Sequence, residues 1–368
     1  MYKKFNKEIE FCTYCPKLCR FSCPVANASG SETLTPWGRQ SLLHLCASGK
    51  QDFNREVALT TYNCLTCLLC REYCDHDIEI PPVMEAARNK AVKEQVEPVE
   101  VADFKLFFAE HRNPVGDNLQ ARVRAILPEK YFNKDAQVLY WPGCSAIYNQ
   151  PKNIKDTFDV FEAIGIDYVS CWGGELQCCG FPLATLGVWD EYEKQSREVA
   201  ELLSKYKTII SGCPTCAYMF KSRYMDEGKK LTNKIYHVTE FLAPMIAQGK
   251  MQIKKPYPKP VMYHDPCYLC RYLDVYEEPR RLLTEVLREP LVEFSYNNSD
   301  SMCCGGGGGL PITNPALSRQ IAKDRLKEYY EGEEKTLVTA CATCQRHFMK
   351  WDESLKVLDV MNILAKCI

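Results

Sequence analysis

Val138-Leu139-Tyr140-Trp141-Pro142-Gly143-Cys144 and Val261-Met262-Tyr263-His264-Asp265-Pro266-Cys267 are two versions of one phrase: a short apolar run, a proline and a cysteine. Each opens a longer repeated pattern. The first continues with Cys178-Cys179-Gly180 and Cys213-Pro-Thr-Cys216, the second with Cys303-Cys304-Gly305 and Cys341-Ala-Thr-Cys344. Corresponding cysteines lie 123 to 128 residues apart, a drift that small loop insertions produce. The flanks repeat too, since Thr208-Ile209-Ile210 leads to Cys213 and Thr336-Leu337-Val338 leads to Cys341.

Runs of Val, Ile and Tyr this short read as buried strands. Helical stretches alternate with them, at Asp190 to Tyr206, Pro279 to Leu287 and Pro315 to Tyr330. Such alternation predicts an α/β layered domain in each copy, with the cysteines in loops at strand ends. Outward from the repeat, the chain divides into four. Residues 1–100 hold nine cysteines, and 101–136 hold none and read as a helical connector from Val101 to Leu127, ending at Pro128. Residues 137–250 and 251–368 are the two copies. The expected fold class is therefore α+β multidomain: a helical cysteine-rich domain followed by two duplicated α/β domains.

The 368 residues include 22 cysteines, 46% hydrophobic and 25% charged residues, with a formal net charge of −1. That balance gives ordinary globular cores and no reason to expect nucleic acid as a partner. Met1 to Glu10 is charged and lacks the apolar core of a signal peptide, and no apolar run approaches a membrane span. The expectation is a cytoplasmic protein without direct membrane insertion, held at the inner face of a membrane, if at all, through a partner. In a reducing compartment clustered cysteines point to metal ligation or redox chemistry and not to disulfides.

The nine N-terminal cysteines include two motifs, Cys12-x2-Cys15-x3-Cys19-x3-Cys23-Pro24 and Cys64-x2-Cys67-x2-Cys70-x3-Cys74. The second has bacterial ferredoxin spacing, with Asp75 where the proline usually follows. Three closely spaced thiolates reach three irons of one cubane, and the fourth cysteine is too far round and ligates the other cluster. One [4Fe-4S] cluster is thus expected on Cys12, Cys15, Cys19 and Cys74, and the other on Cys64, Cys67, Cys70 and Cys23. The extra residue before Cys19 leaves open a three-iron cluster or a displaced cubane at the first site. Structural zinc takes two well-separated pairs, not four cysteines within about a dozen residues. The 40 residues between the motifs include a helix around Arg39 to Ala47, as in the helical kind of two-cluster ferredoxin domain.

Each copy of the repeat carries five thiols, too many for tetrahedral zinc or for one ordinary cubane. Neighbouring cysteines do not readily chelate one iron, but they can bridge or bind adjacent irons of a larger cluster. The pattern resembles the CCG-domain proteins: heterodisulfide reductase subunits of the B and D types, with relatives among glycerol-3-phosphate, lactate and glycolate oxidase subunits and class II benzoyl-CoA reductase complexes. The order here, a two-cluster domain and then two CCG domains, is most similar to the D type. The resemblance implies one noncubane four-iron cluster on Cys144, Cys178, Cys179, Cys213 and Cys216, and a second on Cys267, Cys303, Cys304, Cys341 and Cys344. It also implies that the copies face each other about a pseudo-twofold axis. A disulfide is split between the two clusters, one electron from each, with the cubanes as the wire from an outside donor.

His264-Asp265 before Cys267 matches the family's HDPC signature, where the histidine either gives a proton to product thiolate or hydrogen-bonds a cluster sulfur. Cys46, Cys171, Cys270 and Cys367 fall outside the motifs and are first read as structural thiols. The run Gly305 to Gly309 lacks the context of a phosphate loop and suggests clearance for a cluster or substrate. His237 and Glu240 begin a short helix, where a structural role is the first reading. With no flavin or nucleotide motif, the chain needs partners: a flavoprotein, an electron-transfer flavoprotein or a membrane cytochrome or quinone subunit. The alternative to disulfide reduction is pure electron transfer between such a partner and a separate catalytic subunit.

Overall fold

A computed structural model describes residues 2–368 apart from Lys134, Lys229, Lys230, Gly332 and Glu334. Each copy of the repeat folds around a four-stranded parallel sheet. The first has β1 (Val138–Trp141), β2 (Val169–Cys171), β3 (Thr208–Ser211) and β4 (Lys234–His237) in the order β2-β1-β3-β4. The second has β5 (Val261–His264), β6 (Val292–Glu293), β7 (Thr336–Thr339) and β8 (Val357–Asp359) in the matching order β6-β5-β7-β8. The strands are two to four residues long. Covered on both faces, they read as continuous apolar runs without alternation.

In this order the connection from β1 runs to one side of the sheet and the return to β3 lies on the other. The β1/β3 and β5/β7 boundaries are therefore topological switch points, where the loops after the strands diverge and leave a crevice. Four helices matter in each copy. They are α1 (Cys144–Asn149), α2 (Pro151–Ala163), α3 (Pro214–Tyr218) and α4 (Val238–Ala247), then α5 (Cys267–Leu273), α6 (Glu277–Thr284), α7 (Ala342–Trp351) and α8 (Val360–Cys367). Their packing is reciprocal: α2 lies on α8 and α4 on α6, while α3 meets α5 and α7 meets α1. That exchange is the signature of a pseudo-twofold pair. Pro151 opens α2 at a position where its missing N–H costs nothing. Ile154, Phe158 and Phe161 recur at helical spacing on its buried face, and Val360, Ile363, Leu364 and Cys367 do the same on α8. All belong to one continuous core.

The expected helices stand at Trp189–Leu203, Glu277–Thr284 and Pro315–Tyr330. The connector is two helices, Val99–His111 and Leu119–Ile126. Between them Asn113 Oδ1 accepts the Val115 and Gly116 N–H groups at 3.0 Å each, closing a turn that ends the first helix.

Compactness groups the chain into two units. One comprises Met1–Glu110, Pro182–Tyr192 and Ser299–Lys327, the other His111–Phe181, Glu193–Asn298 and Glu328–Ile368. Both sheets lie in the second. The first is helical around its cysteine motifs. Helix Asn6–Tyr14 packs on Pro36–Ala47, and Arg55–Tyr62 packs on Ile80–Glu94, around Ile9, Leu43, Val83 and Met84. Thr35 and Asn54 cap two of these helices, accepting the Gly38 and Val57 N–H groups at 2.9 and 3.0 Å. No helix among the described residues is long and apolar enough to cross a membrane.

Candidate metal centres

All five cysteines of the first copy meet at the carboxyl ends of β1 and β3. Cys144 is the first residue of α1, and Cys213 caps the start of α3. Unsatisfied N–H groups at helix starts favour thiolate over thiol. Cys178 hydrogen-bonds with Cys144 and with Cys179, Cys179 with Cys216, and Cys216 with Cys213, so the thiols form one unbroken chain. The Cys216 and Cys179 sulfurs are 3.4 Å apart, and all 22 cysteines are free. That spacing is a contact, far beyond a disulfide bond. Crowding divides the protons unevenly: hydrogen bonds to neighbouring thiols push Cys178 and Cys216 well above the ordinary thiol range and hold Cys179 well below it.

The surrounding chain holds this set open. Gly143 sits at φ +82°, and a Cβ there would stand 2.9 Å from Cys213 Cβ and 3.5 Å from Cys216 Sγ. Gly180, also at positive φ, turns its N–H onto Cys178 Sγ at 3.4 Å. The carbonyls of the Cys-Cys pair are pinned from both sides. Gln195 Nε2 donates to the Cys178 oxygen at 2.8 Å, and the Tyr224 hydroxyl donates to the Cys179 oxygen at 2.7 Å. Arg112 in turn donates to Gln195 Oε1 at 2.6 and 3.0 Å, fixing which way that amide points. Five buried sulfurs with ordered supports suit a multi-iron group and exceed what one tetrahedral ion takes.

The second copy repeats part of this within the sheet-bearing unit. Cys267 begins α5 after β5, and Cys341 caps α7 after the adjacent β7, with Cys344 in its first turn. His264 ends β5, fully buried, its ring edge-on to Phe348 at 5.0 Å and to Phe294 at 6.3 Å. Asp265 anchors the loop to Cys267. Its carboxylate takes a bidentate pair from Arg280 at 2.7 and 2.8 Å and the Asn298 N–H at 3.0 Å. Cys270 is buried, its thiol turned to the Cys267 carbonyl at 3.7 Å. Cys303 and Cys304 belong to the helical unit, where the Gly305 and Gly306 N–H groups point at their sulfurs at 3.5 and 3.4 Å.

In the helical unit one cavity is lined by Cys12, Cys15, Cys19 and Cys74, and another by Cys23, Cys64, Cys67 and Cys70. Each takes three cysteines from one motif and one from the other. Burial and neighbouring thiols push Cys12 and Cys19 up to about 12, and Cys70 rises for the same reasons. Four sulfurs facing one void, none bonded to another, fit a group that replaces their protons with cations. The glycine run packs against the second motif. A Cβ at Gly308 would stand 2.1 Å from the Cys64 oxygen, and one at Gly307 would stand 2.6 Å from the Leu65 oxygen. The clearance therefore serves main-chain contact with the Cys64–Leu65 loop.

Several supports carry no sequence signal of their own: Gln195, Tyr224, Arg39 and Arg88 are ordinary residues of helical stretches. Gly143, between a proline and a cysteine at a strand end, is the one that motif reading reaches. His237 and Glu240 form a capping box at the start of α4, with the Glu240 carboxylate accepting the His237 N–H at 2.8 Å. That is the structural role.

The CCG cysteine-rich domain family matches residues 138–221 and 261–349. The chain is 29% identical to the D-type subunit of the dihydromethanophenazine:CoB–CoM heterodisulfide reductase of Methanosarcina mazei, over 98% of this chain and 94% of that protein. It is 28% identical to the B-type subunit of the fumarate reductase (CoM/CoB) of Methanothermobacter marburgensis, over 98% of this chain and 72% of that one. It is 27% identical to an EtfAB:quinone oxidoreductase of Syntrophomonas wolfei, over 83% of this chain and 46% of that one. Two CCG domains and homology to D-type heterodisulfide reductase subunits along nearly its whole length make this chain a CCG-domain iron–sulfur oxidoreductase subunit.

Proposed function

We propose that this subunit takes electrons from a redox partner and reduces a disulfide. Cys12, Cys15, Cys19 and Cys74 would hold one [4Fe-4S] cubane, and Cys23, Cys64, Cys67 and Cys70 the other. The two five-cysteine sets would each hold a noncubane four-iron cluster. Such clusters supply one-electron steps at a potential that the surrounding protein tunes. The overall change adds two electrons and two protons to one S–S bond and releases two thiols. The observation that carries this reading is the unbroken chain of all five first-copy thiols at the β1/β3 switch point.

The residues around the sets have separable tasks. Gln195 and Tyr224 keep the Cys178–Cys179 main chain from moving when charge changes at the sulfurs. Asp265, locked by Arg280, holds the approach to Cys267, and His264 beside it supplies a proton to a released thiolate. Cys12, Cys15 and Cys19, ringed by exposed Phe11, Tyr14, Leu18 and Phe21, are where a partner delivers electrons. That partner is a flavoprotein, an electron-transfer flavoprotein or a membrane quinone or cytochrome subunit. The domain boundaries proposed with this reading are 1–100, 101–136, 137–250 and 251–368.

The test is iron analysis and EPR on anaerobically prepared protein. About sixteen irons per chain are expected, four for each of four clusters. Oxidation in the presence of a thiol is expected to produce a signal that is absent without it. About eight irons overturns the noncubane assignment, and no thiol-dependent signal favours the relay reading.

A further inference from the structure

The two ferredoxin-type cysteine sets sit in different electrostatic surroundings. Arg39 and Arg88 are both at most 1% exposed, and both stand at the set Cys23, Cys64, Cys67 and Cys70. Arg39 lines that cavity, with Nη1 3.9 Å from Cys23 Sγ, and is fixed by bonds to the Thr60 and Asn63 carbonyls at 3.1 Å each. Arg88 donates to the Thr61 oxygen at 2.6 and 3.0 Å, to the Cys64 oxygen at 2.7 Å, to the Thr185 oxygen at 2.6 Å and to the Gly308 oxygen at 3.0 Å. Among the described residues, every hydrogen bond of Arg88 goes to a main-chain carbonyl or the Thr185 hydroxyl, and neither arginine forms an ion pair with a carboxylate. A buried guanidinium is costly unless an anion answers it. The nearest candidates for that anion are the cysteine sulfurs of this set.

The other set lacks such an arrangement. Its cavity is lined by one cation, Lys17, and one carboxylate, Asp75. Lys17 is only half-buried and lies over the Trp37 ring at 3.8 Å. Solvent screens that charge. A fixed, desolvated positive charge beside a redox group favours its more negative, reduced form.

We propose that Arg39 and Arg88 order the two sites, making reduction at Cys23, Cys64, Cys67 and Cys70 easier than at Cys12, Cys15, Cys19 and Cys74. The inference rests on the cubane reading above. One electron moves: the Cys12 set is oxidised and the Cys64 set reduced, without bond change. A reduced flavoprotein or similar one-electron donor replenishes the first. Electrons then collect beside the Gly307–Gly308 main chain that follows Cys303–Cys304. Arg88, bonded to both Cys64 and Gly308, is the positioning residue for that contact.

The test is a mediated redox titration of the full chain, anaerobically loaded with iron and sulfide and followed by EPR. Arg39→Gln removes the charge and keeps an amide donor. It is expected to lower the higher of the two cubane midpoints by at least a tenfold change in the oxidised-to-reduced ratio at fixed potential, about 59 mV for one electron. The lower midpoint and the iron content should stay put, and Arg39→Lys should keep the wild-type value. In separate variants, Cys64→Ser should abolish the higher-midpoint signal and Cys15→Ser the lower one. Clusters present with no shift in Arg39→Gln, an equal shift in Arg39→Lys, or the reverse assignment of signals overturns the inference and leaves the cubane reading standing. A wild-type chain without clusters at these cysteines overturns both.

Discussion

Gly308 lies so close to Cys64 that no side chain fits between them: a Cβ would stand 2.1 Å from the Cys64 carbonyl oxygen. The two residues are far apart in sequence, and Arg88 bonds to the carbonyls of both. Gly308→Ala must displace main chain against main chain, at φ +61°. It is expected to destabilise the helical unit by more than about 2 kcal/mol. Gly30→Ala is the control, at φ +64° with nothing within 4 Å, and should cost only about 1 kcal/mol. Chemical denaturation checks the difference, and equal losses would contradict the close packing.

Gly143→Ala addresses the first five-cysteine set. Its Cβ would press on Cys213 Cβ at 2.9 Å, where neither backbone strand can give. The expected outcome is loss of about four irons per chain with both cubane signals intact. Full iron content in this variant would show that Cys213 is not held where the structure places it.

Tyr224→Phe deletes one hydroxyl, which donates to the Cys179 oxygen at 2.7 Å in a fully buried position. An orphaned buried carbonyl costs about 1–3 kcal/mol. The change should lower thermal stability and alter the thiol-dependent EPR signal, while ferredoxin-type signals stay unchanged. An unaltered signal would confine Tyr224 to a purely structural role.

His237 and Asp359 stand at equivalent places, each ending its sheet's fourth strand and capping the helix that follows. Burial drives them in opposite directions from their ordinary values: His237 falls to about 3 and Asp359 rises to about 7. For His237 the unfolded chain binds more protons between about pH 3 and 6.5, so its contribution is lost as pH falls through that window. For Asp359 the folded chain binds more between about pH 4 and 7, so stability is lost as pH rises there. Asp359→Asn keeps a capping oxygen and removes the charge. It should be more stable than wild type above pH 7, by on the order of 1–3 kcal/mol, and show no such gain near pH 5. Thermal melts across pH 5 to 8 decide it, and a gain that does not change with pH would refute the buried-carboxylate argument.

The spacing of cysteines along the chain determined which thiols belong to which motif, the duplication, and the α/β class of each copy. Those features are local: a loop's reach over three residues and the apolar run of a buried strand do not depend on the rest of the chain. The pairing of Cys74 with the first motif and Cys23 with the second was legible for the same geometric reason, and the two cavities are lined that way. Only the tertiary structure decided why Gly307 and Gly308 must be glycines, which residues brace the Cys178–Cys179 pair, and that two arginines stand buried at one cysteine set. Clearance, buried charge and an answered carbonyl are properties of neighbours in space. Arg88 reaches Thr185 and Gly308 across 97 and 220 residues of sequence, and no local pattern encodes a contact of that span.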